Sequence, residues 1–231
     1  MMEKIQKMMI GEALGAFIIT FAGCGAIMVD ALSAGVIGHV GVSLVFGLAY
    51  TVAILALADA CRGHFNPVLS IGFAVFGKVP VIPTLVAVVA QFVGAFVAVG
   101  LLSVMLGDVA ALGTPFPVAD LALVADADPE IVAVLSETVI AAILMFVAVS
   151  VSDRGALAGV PAALAIGGAV ALLTLMAGPL DGAAMNPARA LAPAVVTGIN
   201  DGLWIYLVMP VIGGIIGGGL RVGIELLARR V

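Results

Sequence analysis

Six apolar runs, each long enough to cross the hydrocarbon core of a bilayer, dominate this sequence: residues 8–29, 36–58, 79–106, 131–151, 156–177 and 203–227. A spanning helix needs about 20 such residues to cross a core about 30 Å thick, and it is a helix because lipid offers the backbone N–H and C=O groups no partner outside it. The expected fold is therefore an all-α membrane protein with six transmembrane helices. Composition agrees, since 64% of the residues are hydrophobic and 10% charged, where a water-soluble domain carries about 25% charged residues. The first run contains Glu12 and precedes further spans without a small-residue cleavage site, so it reads as a retained helix rather than a secretory leader.

Charge distribution orients the spans. Lys4, Lys7, Lys78, Arg154, Arg229 and Arg230 all fall on one side of a six-span chain. The loops near 30–36, 107–130 and 198–202 lack Lys and Arg and hold Asp30, Asp108, Asp120, Asp126, Asp128, Glu130 and Asp201. By the positive-inside rule both termini are cytoplasmic, and the short termini suit a prokaryotic cytoplasmic membrane. The net charge of −5 reports acidic external loops, and no basic patch points to nucleic acid. Cys24 and Cys61 are the only cysteines and have no metal-ligand or redox spacing, so no disulfide, metal or cofactor is expected. Small residues four apart, Gly11/Gly15 and Gly213/Gly217 beside Gly214/Gly218, read as surfaces where helix backbones approach closely.

Two interruptions break the hydrocarbon pattern, "GHFNPVLSIG" at 63–72 and "GAAMNPARAL" at 182–191. Each is preceded by a span opening on a glutamate, "GEALGAFIITF" at 11–21 and "SETVIAAILMF" at 136–146. Glu12 precedes Asn66 by 54 residues and Glu137 precedes Asn186 by 49, so the chain reads as one unit used twice, about 8–106 and 131–227, within a single domain over 1–231. Three spans per unit is an odd number. The second unit must enter the membrane from the opposite side, giving an inverted 3+3 repeat. The runs after each Asn-Pro, 68–76 and 188–197, are short, and about eleven helical residues reach only about 16 Å. Two re-entrant half-helices meeting at mid-membrane follow. Non-helical backbone at that depth is tolerated only where protein buries it or a water-filled path runs past it.

Asparagine is a favoured N-cap and proline suits the first helical position, so Asn66-Pro67 and Asn186-Pro187 each start a half-helix. With the side-chain oxygen used as a cap, the amide NH₂ keeps two donors to offer a polar permeant. Each half-helix also brings about half a positive charge to the midplane, which repels cations and protons. The extended segments leading in, with Gly63, His64 and Phe65 in one repeat and Gly182, Ala183, Ala184 and Met185 in the other, present backbone carbonyls as acceptors. Alternating donors and acceptors suit a neutral hydrogen-bonding molecule. Arg189, in the first turn of the second half-helix, either snorkels to headgroups or, the preferred reading, screens cations in a filter. Glu12 and Glu137 are read as acceptors for unsatisfied backbone of the re-entrant loops rather than as a proton relay. His64 is a loop-positioning hydrogen-bonder or a carbonyl contributor, His39 is interfacial, and Asp59 and Arg62 form a simple pair at the cytoplasmic mouth.

Together these residues resemble the aquaporin, or major intrinsic protein, family over essentially the whole chain: six spans, the inverted repeat, "HFNPV", "GAAMNPAR" and the paired glutamates. The resemblance implies a homotetramer in the lipid bilayer with one pore per subunit, conducting water and, in some members, small neutral solutes such as glycerol. The paired boxes would be Asn66-Pro67-Val68 and Asn186-Pro187-Ala188, and the family's four-residue external constriction would fall on Phe46, Thr174, Ala183 and Arg189. Strict water channels usually carry histidine where Thr174 stands. Glycerol facilitators usually carry Trp at Phe46, an aromatic at Ala183 and Asp at Ala190. The implied filter is intermediate between the two. Val68 replaces the usual alanine and is expected to narrow the centre or shift how the half-helices abut. The usual mercury-sensitive cysteine is absent, Ala183 standing in its place.

Two other classes are weaker. A secondary transporter with broken helices would need carboxylates beside the Asn-Pro boxes, and an intramembrane enzyme a nucleophile with a base or a metal cluster. The sequence offers neither, and no catalytic residue is assigned.

Overall fold

The computed structural model describes residues 2–118, 127–152 and 155–228. Asp120, Asp126, Arg154, Arg229 and Arg230, used above to orient the spans, lie outside the described residues. Six long helices are apolar enough to cross a membrane: α1 (Met2–Leu32), α2 (Gly38–Leu57), α4 (Val81–Leu106), α5 (Pro129–Val151), α6 (Gly159–Asp181) and α8 (Leu203–Ala228). Two short helices, α3 (Pro67–Val75) and α7 (Pro187–Thr197), follow the two asparagines. No strand occurs among the described residues.

Two helices run past the ends that hydropathy gives them. α1 begins at Met2 rather than near residue 8, because a polar turn carrying a Lys7–Glu3 pair at 2.9 Å extends the helix beyond its apolar stretch. α6 continues through Pro179 to Asp181 instead of stopping near 177. Proline has no N–H, so the carbonyl of Leu175 loses its helical partner. His39 of α2 supplies one, its Nε2 lying 2.9 Å from that oxygen. His39 therefore mends a helix, which is more than an interfacial role.

Packing repeats with the sequence. α1 lies against α4 and α5 against α8, while α2 and α6 cross each other. A Cβ on Gly94 would fall 2.0 Å from the carbonyl oxygen of Ala13, and one on Gly213 would fall 2.1 Å from that of Thr138. Ala13 and Thr138 each follow a repeat's glutamate, so the same backbone approach occurs twice. Gly213 and Gly217 do bring α8 onto the α5 backbone. Gly11 and Gly15 do not pair helices: they leave room for Cys61 and for the Phe65 ring of the first re-entrant segment. Gly23 likewise makes room for the Phe46 ring.

The outward surface is apolar, the inverse of a soluble protein. On α2, Leu44, Leu48, Val52 and Leu55 recur at helical spacing and all are exposed. The interior holds the polar groups, among them Glu12, His64, Asn66, Gln91, Glu137, Asp181 and Arg189.

Candidate functional site

The two half-helices begin face to face. Asn66 stands in extended conformation before α3 and its Oδ1 accepts Val68 N at 2.9 Å; Asn186 does the same before α7, accepting Ala188 N at 3.0 Å and Arg189 N at 3.3 Å. Proline follows each cap at a position where no N–H is required. The amide nitrogens reach across the repeat boundary. Asn66 Nδ2 donates to Met185 O at 2.8 Å, and Asn186 Nδ2 donates to Phe65 O at 3.1 Å and lies 3.4 Å from Tyr50 Oη. Each amide thus commits a hydrogen to the opposite loop, and the expectation of two free donors per asparagine is corrected. The carbonyls of Phe65 and Met185 are correspondingly engaged rather than bare.

The buried carboxylates hold the loops. Glu12 accepts His64 N at 3.2 Å and Phe65 N at 2.7 Å, and Glu137 accepts Ala184 N and, at 2.9 Å, Met185 N. These contacts match the backbone-acceptor reading of both residues. In the first repeat the support continues inward. Gln91 Nε2 donates to Glu12 at 2.7 Å and to Ser70 Oγ at 2.8 Å, Ser70 Oγ lies 3.0 Å from His64 Nδ1, and His64 Nε2 lies 2.9 Å from Gly155 O. A carbonyl only accepts, so Nε2 carries the proton and Nδ1 takes the Ser70 hydroxyl. His64 is a loop-positioning group tied to the α5–α6 connection. Both its ring nitrogens are spent on protein groups, and Gly63, His64 and Phe65 border neither of the two cavities described below.

At the end of the bundle away from the termini lies an open vestibule of about 550 Å³, bordered by Asp30, His39, Phe46, Thr174, Gly182 and Arg189 among others. Its rim includes the turn at Val109–Gly113, where Ala110, Ala111 and Leu112 have φ between 47° and 53°, together with the segment through Val118. Beneath it a cavity of about 10 Å³, the room one water needs, is bordered by Tyr50, Asn66, Thr174, Ala183, Asn186 and Arg189 among others. Phe46, Thr174 and Arg189 border both, and Ala183 the lower one, so the structure brings the four residues together at the junction.

Arg189 is 2% exposed, which excludes snorkelling to headgroups. Its guanidinium carbon sits 5.1 Å from the centre of the Phe46 ring and Nη2 donates to Gly182 O at 3.4 Å. Nε and Nη1 have no protein partner, nor does the Thr174 hydroxyl. A buried cation with unspent donors, beside an unspent hydroxyl, can hydrogen-bond a molecule passing between them.

Other expectations change. Val68 does not narrow the centre: its side chain points to α8, where a Cβ on Gly214 would lie 2.5 Å from Val68 Cγ1. Ala188 packs on the opposite flank with Cys24, Ala95 and Val99. Asp59 and Arg62 form no ion pair among the described residues. Tyr50 and Asp181 escaped the sequence reading. Tyr50 lies one helical turn from Phe46 and could have been found by that spacing. Nothing in the sequence marks Asp181 off from an ordinary helix-end acid.

The comparisons with known proteins agree with this geometry. A family model described as Major intrinsic protein matches residues 2–220. The chain is 37% identical over 213 residues to Aquaporin NIP1-1 of Zea mays, covering 92% of this chain and 72% of that one. It is 35% identical over 214 residues to Nodulin-26 of Glycine max, covering 92% and 75%. Among solved structures, an aquaglyceroporin from Plasmodium falciparum superposes with a TM-score of 0.77 at 25% identity, covering 97% of this chain and 99% of that one.

Proposed function

The chain belongs to the major intrinsic protein family, and on that premise we propose how its pore works. Water and small neutral solutes such as glycerol pass passively between the half-helices, and ions and protons do not. The observation that carries this reading is the central pair of asparagines, each capping a helix start with its oxygen and reaching across with its nitrogen. Both helix N-termini face the midpoint, so the field there is positive from both sides and opposes any cation. The second amide hydrogen of Asn66 is left to donate to a permeant's oxygen, while that of Asn186 is directed at Tyr50 Oη, at 3.4 Å. A water held this way cannot also pass a proton along a continuous chain.

Selection occurs one layer outward. Phe46 supplies an apolar wall, Ala183 leaves the opposite side small, and Thr174 and Arg189 offer the hydroxyl and the two unspent guanidinium donors. The cavity here holds one water as it stands, and threonine rather than a larger ring facing Arg189 leaves the side chains room to yield to a somewhat bigger solute. Glycerol, with a hydroxyl for each donor and a carbon edge for Phe46, fits this chemistry.

The protein is an integral membrane protein. We place both termini on the cytoplasmic side of the cell membrane, since Lys4, Lys7, Arg62 and Lys78 gather at the end of the bundle that carries them. The active assembly is a homotetramer, each subunit with its own pore, in which exposed apolar faces such as that of α2 meet lipid or a neighbouring copy.

The test is stopped-flow light scattering on proteoliposomes, comparing shrinkage in an impermeant osmolyte with re-swelling in glycerol, against empty vesicles. Rapid responses to both support a mixed pore, and rapid shrinkage without glycerol entry makes water the main permeant. Vesicles no faster than the empty controls in either medium would sink the reading.

A further inference from the structure

We infer that Asp181 is a positioning residue for the filter, its carboxylate holding Ala183 in the backbone conformation that also seats Arg189. The inference rests on the pore reading given above. Asp181 ends α6 and is fully buried. Its Oδ1 accepts Ala183 N at 2.8 Å, while its backbone oxygen accepts the Tyr206 hydroxyl at 2.8 Å. Oδ2 lies beside the buried Ser136 hydroxyl, and neither atom makes a well-formed hydrogen bond to any other group. A buried carboxylate is expensive to desolvate, and the bond from Ala183 N offsets part of that cost.

The expense has a local reason. Ala183 has φ +42°, in the left-handed region where a Cβ crowds the backbone. The first repeat also takes a positive φ three residues before its own asparagine, at Gly63 with φ +70°, where a glycine needs no enforcement. Cys61 stands there in the place of Asp181, five residues before the asparagine, and its sulfur accepts Gly63 N only at 3.5 Å. The repeat that carries alanine has the strong charged acceptor, and the repeat that carries glycine has the weak one. Between Asp181 and Ala183 lies Gly182, whose carbonyl receives the Arg189 guanidinium. One carboxylate therefore fixes both the Ala183 wall and the acceptor that aims Arg189.

The readout is the ratio of glycerol to water permeability in proteoliposomes of the full chain. Asp181→Ala should raise the ratio at least about threefold, the scale of one lost hydrogen bond. Asp181→Asn, which keeps an acceptor oxygen without the charge, should raise the ratio less than Asp181→Ala does. The decisive comparison uses Ala183→Gly, which accepts a positive φ freely: on that background Asp181→Ala should leave the ratio unchanged. Should Asp181→Ala alone fail to accumulate, recovery of folded protein on the glycine background, with the ratio of Ala183→Gly itself, supports the clamp. An equal shift on both backgrounds, an unchanged ratio in Asp181→Ala, Asn behaving like Ala, or loss of folded protein on both backgrounds would overturn it. A parent that conducts neither solute defeats the pore reading instead, before any variant is compared.

Discussion

The side-chain amide of Asn66 donates to the carbonyl oxygen of Met185, the residue before Asn186, at 2.8 Å, and the reciprocal bond runs from Asn186 to Phe65. The two repeats are therefore joined at the centre by the groups that cap their half-helices. A fault in one cap reaches the other repeat.

Asn66→Ala should destabilise the fold by about 1–3 kcal/mol, since it removes a helix cap and leaves Met185 O without that donor in a buried setting. Thermal unfolding in detergent measures the loss. A transition unmoved from the parent would mean the bond across the repeats contributes nothing.

Replacing Arg189 with valine removes the buried cation and both free guanidinium donors while keeping a side chain beside Phe46. Water flux should be largely preserved. Proton entry, followed with a pH-sensitive dye trapped in proteoliposomes under a pH gradient, should become measurable. Unaltered proton exclusion would assign that task wholly to the central asparagines.

Thr174→His puts a larger ring opposite Arg189 at the junction of vestibule and constriction. Glycerol permeability should fall more than water permeability, because the added volume costs the bulkier solute more. Equal losses in the two stopped-flow assays would show that residue 174 does not control width.

His39 and Pro179 should behave as a coupled pair. His39→Phe leaves the Leu175 carbonyl without a partner, at a cost of about 0.5–1.5 kcal/mol. Pro179→Ala restores an N–H to that carbonyl, so the same His39→Phe change should cost much less on the alanine background. A double-mutant cycle on thermal stability reads the difference, and strictly additive effects would argue against the proline-driven role of His39.

Much of the architecture was legible before any coordinates. Six spans and two half-helix starts follow from hydropathy and from Asn-Pro caps, and both signals act within a few residues. The glutamates at matching places in the repeats marked Glu12 and Glu137, because a lone carboxylate in an apolar span must find donors. The proposed filter positions came instead from family likeness: nothing local to Phe46 or Thr174 says that α2 and α6 bring them to Arg189. The direction of the Val68 side chain was not legible because its contact is with Gly214, almost 150 residues away in the chain.

What the sequence by itself determined is the solvent and the topology: lipid forces closed helices, and three spans per repeat force inversion. What only the tertiary structure decided is how each buried polar group is spent. His64 spends both ring nitrogens on Ser70 and Gly155, the asparagine amides reach each other's loops, His39 repairs the break at Pro179, and Asp181 takes the amide of Ala183. In hydrocarbon an unpaired donor or acceptor is costly, so each of these groups is drawn to a partner. Most of those partners lie in another segment of the chain, and only the packed helices bring them within reach.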